Sequence, residues 1–119
     1  MTSSAFRVFH NEAGTSTSLS ADTGNDQAQA TGFQKLHGNI TNDNDHGGSG
    51  AMYFFNPSST TFVKHFISTI NASLDDAVVQ EQFIAGYFNT TSAIDAIQFK
   101  MNSGNIDSGS IKLYGIKDS

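Results

Sequence analysis

The sequence predicts an all-β domain, a β-sandwich or jelly-roll-like fold of six to seven antiparallel strands joined by long polar loops. Three observations predict it. Apolar and polar residues alternate with a period of two in several short runs. Clusters of Gly, Asn, Asp and Ser punctuate those runs as turns do. The runs are rich in β-branched and aromatic residues, and no segment makes a convincing helix. At 119 residues the chain is one domain, long enough for a single modest core.

The first strand is expected at Ser4–His10, with Phe6 and Val8 on one face and Arg7 on the other. Asn11–Thr31 follows as a long polar connection with Leu19 as its only large aliphatic residue. Phe33–Leu36 is expected as a short strand, and Gly38–Gly50 as a second turn-rich loop. Ala51–Asn56 is a short apolar strand ended by Pro57, and Asn56–Ser59 a turn. Thr61–Ile70 carries a helix-like apolar spacing, but its β-branched residues decide for strand. Asn71–Asp76 is expected as a loop, Val78–Asn89 as a longer strand and Thr90–Ala93 as a turn. A final hairpin is then expected. Ile97, Phe99 and Met101 alternate before the turn Gly104–Gly109, and Ile111 and Leu113 alternate after it.

Several of these strands are apolar on both sides. Met52 and Phe54 oppose Tyr53 and Phe55, Phe62 and Phe66 oppose Val63 and Ile67, and Phe83, Ala85 and Tyr87 oppose Ile84 and Phe88. A lone sandwich buries one face of each sheet and leaves the other wet. Fully burying one Phe or Ile stabilises by roughly 1.5–3 kcal/mol, so a row of them left in water forfeits much. Cover by another subunit is therefore expected, with Phe54, Phe62, Phe66, Ile84 and Phe88 as candidate interface residues and a homo-oligomer as the consequence.

Composition removes several function classes. The net charge is −5, and the six basic residues are dispersed, so the positive stripe that nucleic acid requires is missing. There are no cysteines, which excludes disulfides and thiolate metal sites. The longest purely apolar stretch is Ala51–Phe55, far short of the ~20 residues that span a bilayer as a helix, and no membrane insertion is expected. Residues 1–20 lack the pattern of a secretory leader. Only 14% of residues are charged, against about 25% in a typical soluble protein, a bias that suits short strands and polar loops.

A search for reactive chemistry finds little. His10, His37, His46 and His65 fall in none of the spacings that put two imidazoles on one metal. Asp43 and Asp45 lie in a Gly-rich loop beside Asn42, Asn44 and His46 and are the candidate metal ligands, since hard cations take clustered oxygens. Their spacing fails the EF-hand pattern, and a solvated Asn/Asp turn is the preferred reading. Glu12 and Glu81 are the only glutamates, and nothing indicates that they form the facing acid pair of a glycosidase. No nucleophile elbow and no phosphate-binding loop occur. No catalytic residue and no cofactor is expected. Tyr53, Tyr87 and Tyr114 are the aromatics on which a sugar would stack.

The segments FNPSSTTFVKHFIS (Phe55–Ser68), AGYFNTTSAIDAIQFKM (Ala85–Met101) and SGNIDSGSIKLYGI (Ser103–Ile116) resemble proteins of tailed bacteriophages, especially environmental and marine ones. Arg7–Glu12 and Ala28–Leu36 resemble the same family. The resemblance implies a virion-associated β-sandwich protein assembled in the host cytoplasm, with no active site to carry over. Relatives of this kind are longer, with more β-rich sequence before the part matching Arg7. From that comes the expectation that a neighbouring subunit supplies strands. The leading expectation is thus a non-enzymatic subunit on the particle exterior, either capsid decoration (cement) or part of a tail or fibre, with other virion proteins as partners. The alternative is a carbohydrate-binding module that contacts host surface glycans through the long loops and tyrosines.

Overall fold

The computed structural model describes residues 1–75 and 77–117. Among them the chain is all-β: β1 (Thr2–Asn11), β2 (Thr17–Ala21), β3 (Gly48–Phe54), β4 (Lys64–Leu74) and β5 (Val78–Phe88), with no helix. All five join one open antiparallel sheet in the order β2-β1-β5-β4-β3. The long strands β4 and β5 form the central hairpin, and β1 pairs with β5 from Val78 to Tyr87.

Several elements differ from the sequence expectation, each for an identifiable reason. The described residues hold five strands in a single layer, where six or seven in a sandwich were expected. Phe33–Leu36 is a loop that drops Leu36 onto the core. Residues 95–101 and 110–113, expected as the final hairpin, are in neither strand nor helix. Alternation alone does not make a strand. A hairpin without a third strand or a covering layer is marginal in water.

Pairing also overrides local composition. Gly48–Gly50 belongs to β3 and Asn71–Leu74 to β4, because each completes the other's ladder. Gly50 is required there, since a Cβ would collide with the carbonyl oxygen of Thr69 and with Ile70. β4 begins at Lys64, later than expected, because the Ser59 hydroxyl accepts from the backbone N–H of Thr61 (3.2 Å) and Phe62 (3.0 Å) and holds a turn. The polar connection after β1 contains β2, whose hairpin is built on Asn11. The Asn11 side-chain oxygen accepts from the N–H of Thr15 and Ser16 at 3.0 and 2.9 Å.

Register divides the sheet into two faces. Residues paired across antiparallel strands share a face, so the even positions of β4 and β5 and the odd positions of β1 point one way. This inner face carries the core: Ala5, Phe66 and Ile84, with Met1, Leu36, Met52, Phe54 and Phe88 packed against them. The Phe66 ring lies 5.3 Å from that of Phe88 and 6.5 Å from that of Phe54. Gly86 lets the chains close in, since a Cβ there would stand 2.5 Å from the Thr2 carbonyl and 3.0 Å from the Phe66 ring.

The loop between β2 and β3 straps the inner face. Ser3 and Gln27 form an isolated bridge, the Ala5 N–H donates to Asp26 Oδ1 at 2.7 Å, and the Ala30 N–H donates to the Met1 carbonyl at 2.9 Å. Together these satisfy the part of β1 that runs beyond β2. Further along, His37 is buried and its Nδ1 accepts from the Asn39 N–H at 3.2 Å. Its Nε2–H therefore faces the Gln80 carbonyl at 3.4 Å. The strap also covers a polar stretch of the face that includes Gln80 and Gln82.

Leu74 pairs with Val78, so three residues connect β4 to β5, and Ala77 adopts a left-handed φ of 54°. That conformation suits glycine and costs a residue with a Cβ about 1–2 kcal/mol. Ala77→Gly is expected to raise stability by about 0.5–1 kcal/mol, the relieved strain minus the added backbone entropy. A urea denaturation midpoint higher than that of the unmodified protein checks it.

Candidate functional site

The outer face is the feature that sets this sheet apart. It carries Phe6 and Val8 from β1, Leu19 from β2, Tyr53 from β3, Ile67 from β4 and Val79, Phe83, Ala85 and Tyr87 from β5. Phe6 is 44% exposed, Ile67 48% and Leu19 70%, although all three lie in regular strands of the sheet. At its centre the Phe6 and Phe83 rings stack at 4.6 Å and 10°. Glu81 is the only carboxylate, lysine or arginine at an outward position of the five strands. Five strands about 4.8 Å apart and up to eleven residues long give a face of roughly 20 by 35 Å. The whole face, polar positions such as Thr69, Asn71 and Ser73 included, thus covers about 700 Å², close to one partner's share of a standard interface.

The face is rich in apolar groups because of how the sequence alternates. In β4 and β5 both phases hold apolar groups, so whichever side the strap covers, the other stays greasy. The side the strap covers holds polar residues too, with Lys64, Ser68, Gln80 and Gln82 beside Phe66 and Ile84. Polar side chains need partners once buried, and Gln82 Nε2 finds one in the Phe6 carbonyl at 3.5 Å. Gln80 Nε2, Gln82 Oε1 and Ser68 Oγ still lack a protein partner. Lys64, fully buried, donates to the Thr90 carbonyl at 3.3 Å.

The five candidate interface residues fall elsewhere. Phe66 and Ile84 are each 1% exposed, and Phe54 and Phe88 pack with them on the inner face. Phe66 and Ile84 are core of this chain, a correction to their expected role, while Phe54 and Phe88 are partly buried against that core. Phe62 is 69% exposed but sits in the turn before β4, off the sheet. Of the residues that line the open face, Tyr53, Ile67, Phe83, Ala85 and Tyr87 are the opposite members of the same doubly apolar pairs. The missing signal was the phase, which depends on where a distant loop lands.

The metal candidates also rearrange. Asp43 meets His46 and Asp75, whose ligand atoms all lie within 4.8 Å of one another, whereas Asp45 stands apart from that group with a carboxylate oxygen 4.0 Å from His46 Nε2. His46 Nδ1 is already engaged with Thr41 Oγ1 at 2.8 Å. Two exposed carboxylates and one occupied imidazole fall well short of the six to eight oxygens that calcium takes. Of the tyrosines, Tyr53 and Tyr87 share the outer face, with His65 5.9 Å from the Tyr87 ring, and Tyr114 lies exposed beyond the sheet. A shallow cavity of about 220 Å³ between strap and sheet is lined by Arg7, Asn25, Lys35, Asn39 and Gln80, and another of about 190 Å³ by His10, Glu12, His46 and the β4–β5 turn. Neither joins a nucleophile to a base in hydrogen-bonding range. No helix of the described residues is long and apolar enough to cross a membrane.

Comparison with family models, curated proteins and solved structures gives no match to this chain.

Proposed function

We propose that this chain is a non-enzymatic structural subunit of a tailed-bacteriophage particle, exposed on its exterior as a capsid decoration subunit or as part of a tail or fibre. Its role is association. The outer face of one copy packs on that of another copy or of a neighbouring virion protein, and the two layers together make the sandwich that a single chain leaves half built. The observation that carries this reading is the open apolar face centred on Phe6 and Phe83. The likeness of Phe55–Ser68, Ala85–Met101 and Ser103–Ile116 to phage proteins supplies the setting.

Quantitative mass spectrometry of purified particles tests it. Many symmetry-related copies indicate decoration, and a few at one vertex indicate the tail. Absence from the washed particle overturns the reading. A second reading, glycan binding, draws on the two tyrosines that share the open face, Tyr53 and Tyr87. Saccharide-selective binding on a glycan array, lost in Tyr53→Ala, would favour it over pure assembly.

A further inference from the structure

We infer that residues Ser110–Ile116 act as a donor strand, adding to the free β3 edge of a second copy of this chain. The inference deepens the assembly reading and rests on it, but uses a different part of the molecule.

The donor is a strand without a sheet. Ser110–Ile116 keeps the period-2 alternation of a half-buried strand at Ile111 and Leu113. None of its backbone groups enters a backbone hydrogen bond among the described residues. Leu113 and Ile116 are each 90% exposed. Such a segment gains from any ladder that accepts it, since main-chain pairing gives affinity and alternate side chains give fit.

The acceptor is an edge without a guard. Stable monomers blunt their edge strands with lysine, proline, bulges or covering loops. β3 is GSGAMYF, with no charge and no proline, and its outer edge pairs with nothing among the described residues. The chain's own donor leaves that edge open, so the complementary edge is that of another copy. The lengths agree, at seven residues each.

The surface area agrees too. The accessible surface is 8608 Å², against about 6,200 Å² for a compact monomer of 12.7 kDa. The radius of gyration is 15.8 Å, against about 13.5 Å for a domain of this length. The excess of about 2,400 Å² exceeds the roughly 800 Å² that one partner contributes to a standard interface. A face and a strand together account for it better than a face alone.

An antiparallel register follows from the side chains. Pairing Leu113 with Ala51 sets Ile111 opposite Tyr53, so both donor aliphatics extend the outer apolar face. Tyr114 and Ile116 then lie opposite Gly50 and Gly48, bulky residues across from edge glycines, a pairing that sheets favour. Lys112 lies opposite Met52, with its ammonium free to reach solvent.

Cysteine pairing between separately made variants tests this, because the natural chain has no cysteine. Ile111→Cys protein is mixed with Tyr53→Cys protein under mild oxidation, and in parallel with Ser49→Cys protein. The expected result is a disulfide-linked heterodimer with Tyr53→Cys, at least tenfold more abundant than with Ser49→Cys. Preferential linkage to Ser49→Cys, or equal traces of both, overturns the register and the inference. So does an Ile111→Cys/Tyr53→Cys double variant that closes only within its own chain. A further variant, Leu113→Pro, separates the two readings. It removes the cross-link while association through the outer face persists, whereas undiminished association in Phe6→Asp with the cross-link intact would sink the face and spare the donor.

Discussion

Phe6→Asp and Ile67→Lys are each expected to turn an associating protein into a monomer with its fold intact. Both side chains are about half exposed on the outer face, so a charge there is solvated in the single chain and leaves the core untouched. In the assembled form the same charge is buried against apolar surface without a partner, which costs several kcal/mol. Self-association should weaken at least ~100-fold, about 3 kcal/mol. Light scattering behind size exclusion reads the mass, and far-UV circular dichroism confirms an unchanged strand content. A variant that stays associated shows that contact lies elsewhere.

The second large effect belongs to the core. Phe66→Ala is expected to cost about 3–5 kcal/mol, the lost transfer energy of the ring plus the cavity it leaves beside Ile84, Phe54 and Phe88. A domain of this size holds about 5–15 kcal/mol in total, so the variant should melt at least about 10 °C lower. Phe62→Ala is the contrasting control. Phe62 lies exposed in a turn, and its removal should change stability by no more than about 0.5 kcal/mol. Equal losses for the two would mean that Phe66 is not where the chain's own core lies.

Those two phenylalanines, four residues apart, also show what was legible in the sequence. Period-2 alternation and β-branched content found β1, β4 and β5 to within a few residues, because those strands carry their own signal. β2 and the glycines of β3 carry almost none; their strand character comes from the partners Phe6–His10 and Ile70–Ala72. The reverse holds for residues 95–101 and 110–113, whose alternation is clear and which have no strand partner among the described residues. Local pattern states a capacity for pairing, and topology decides whether it is used.

The doubly apolar strands were legible as a surplus of greasy surface, but not which half of the surplus remained outside. Ile84 and Phe83 are adjacent and equally apolar; the first is buried under the strap and the second stacks with Phe6 on the open face. The strap owes its side to His37, Leu36 and the contacts of Asp26 and Gln27 with β1, all long-range and without periodic signature. Asp43 likewise finds Asp75 from another loop, where spacing had suggested Asp45.

The central claim is that the outer face is covered by another chain. Sedimentation equilibrium of the unmodified protein at micromolar concentration tests it most directly. A mass that is an integral multiple, at least twofold, of 12.7 kDa is the predicted result. A single species of 12.7 kDa that persists up to tens of micromolar would contradict it.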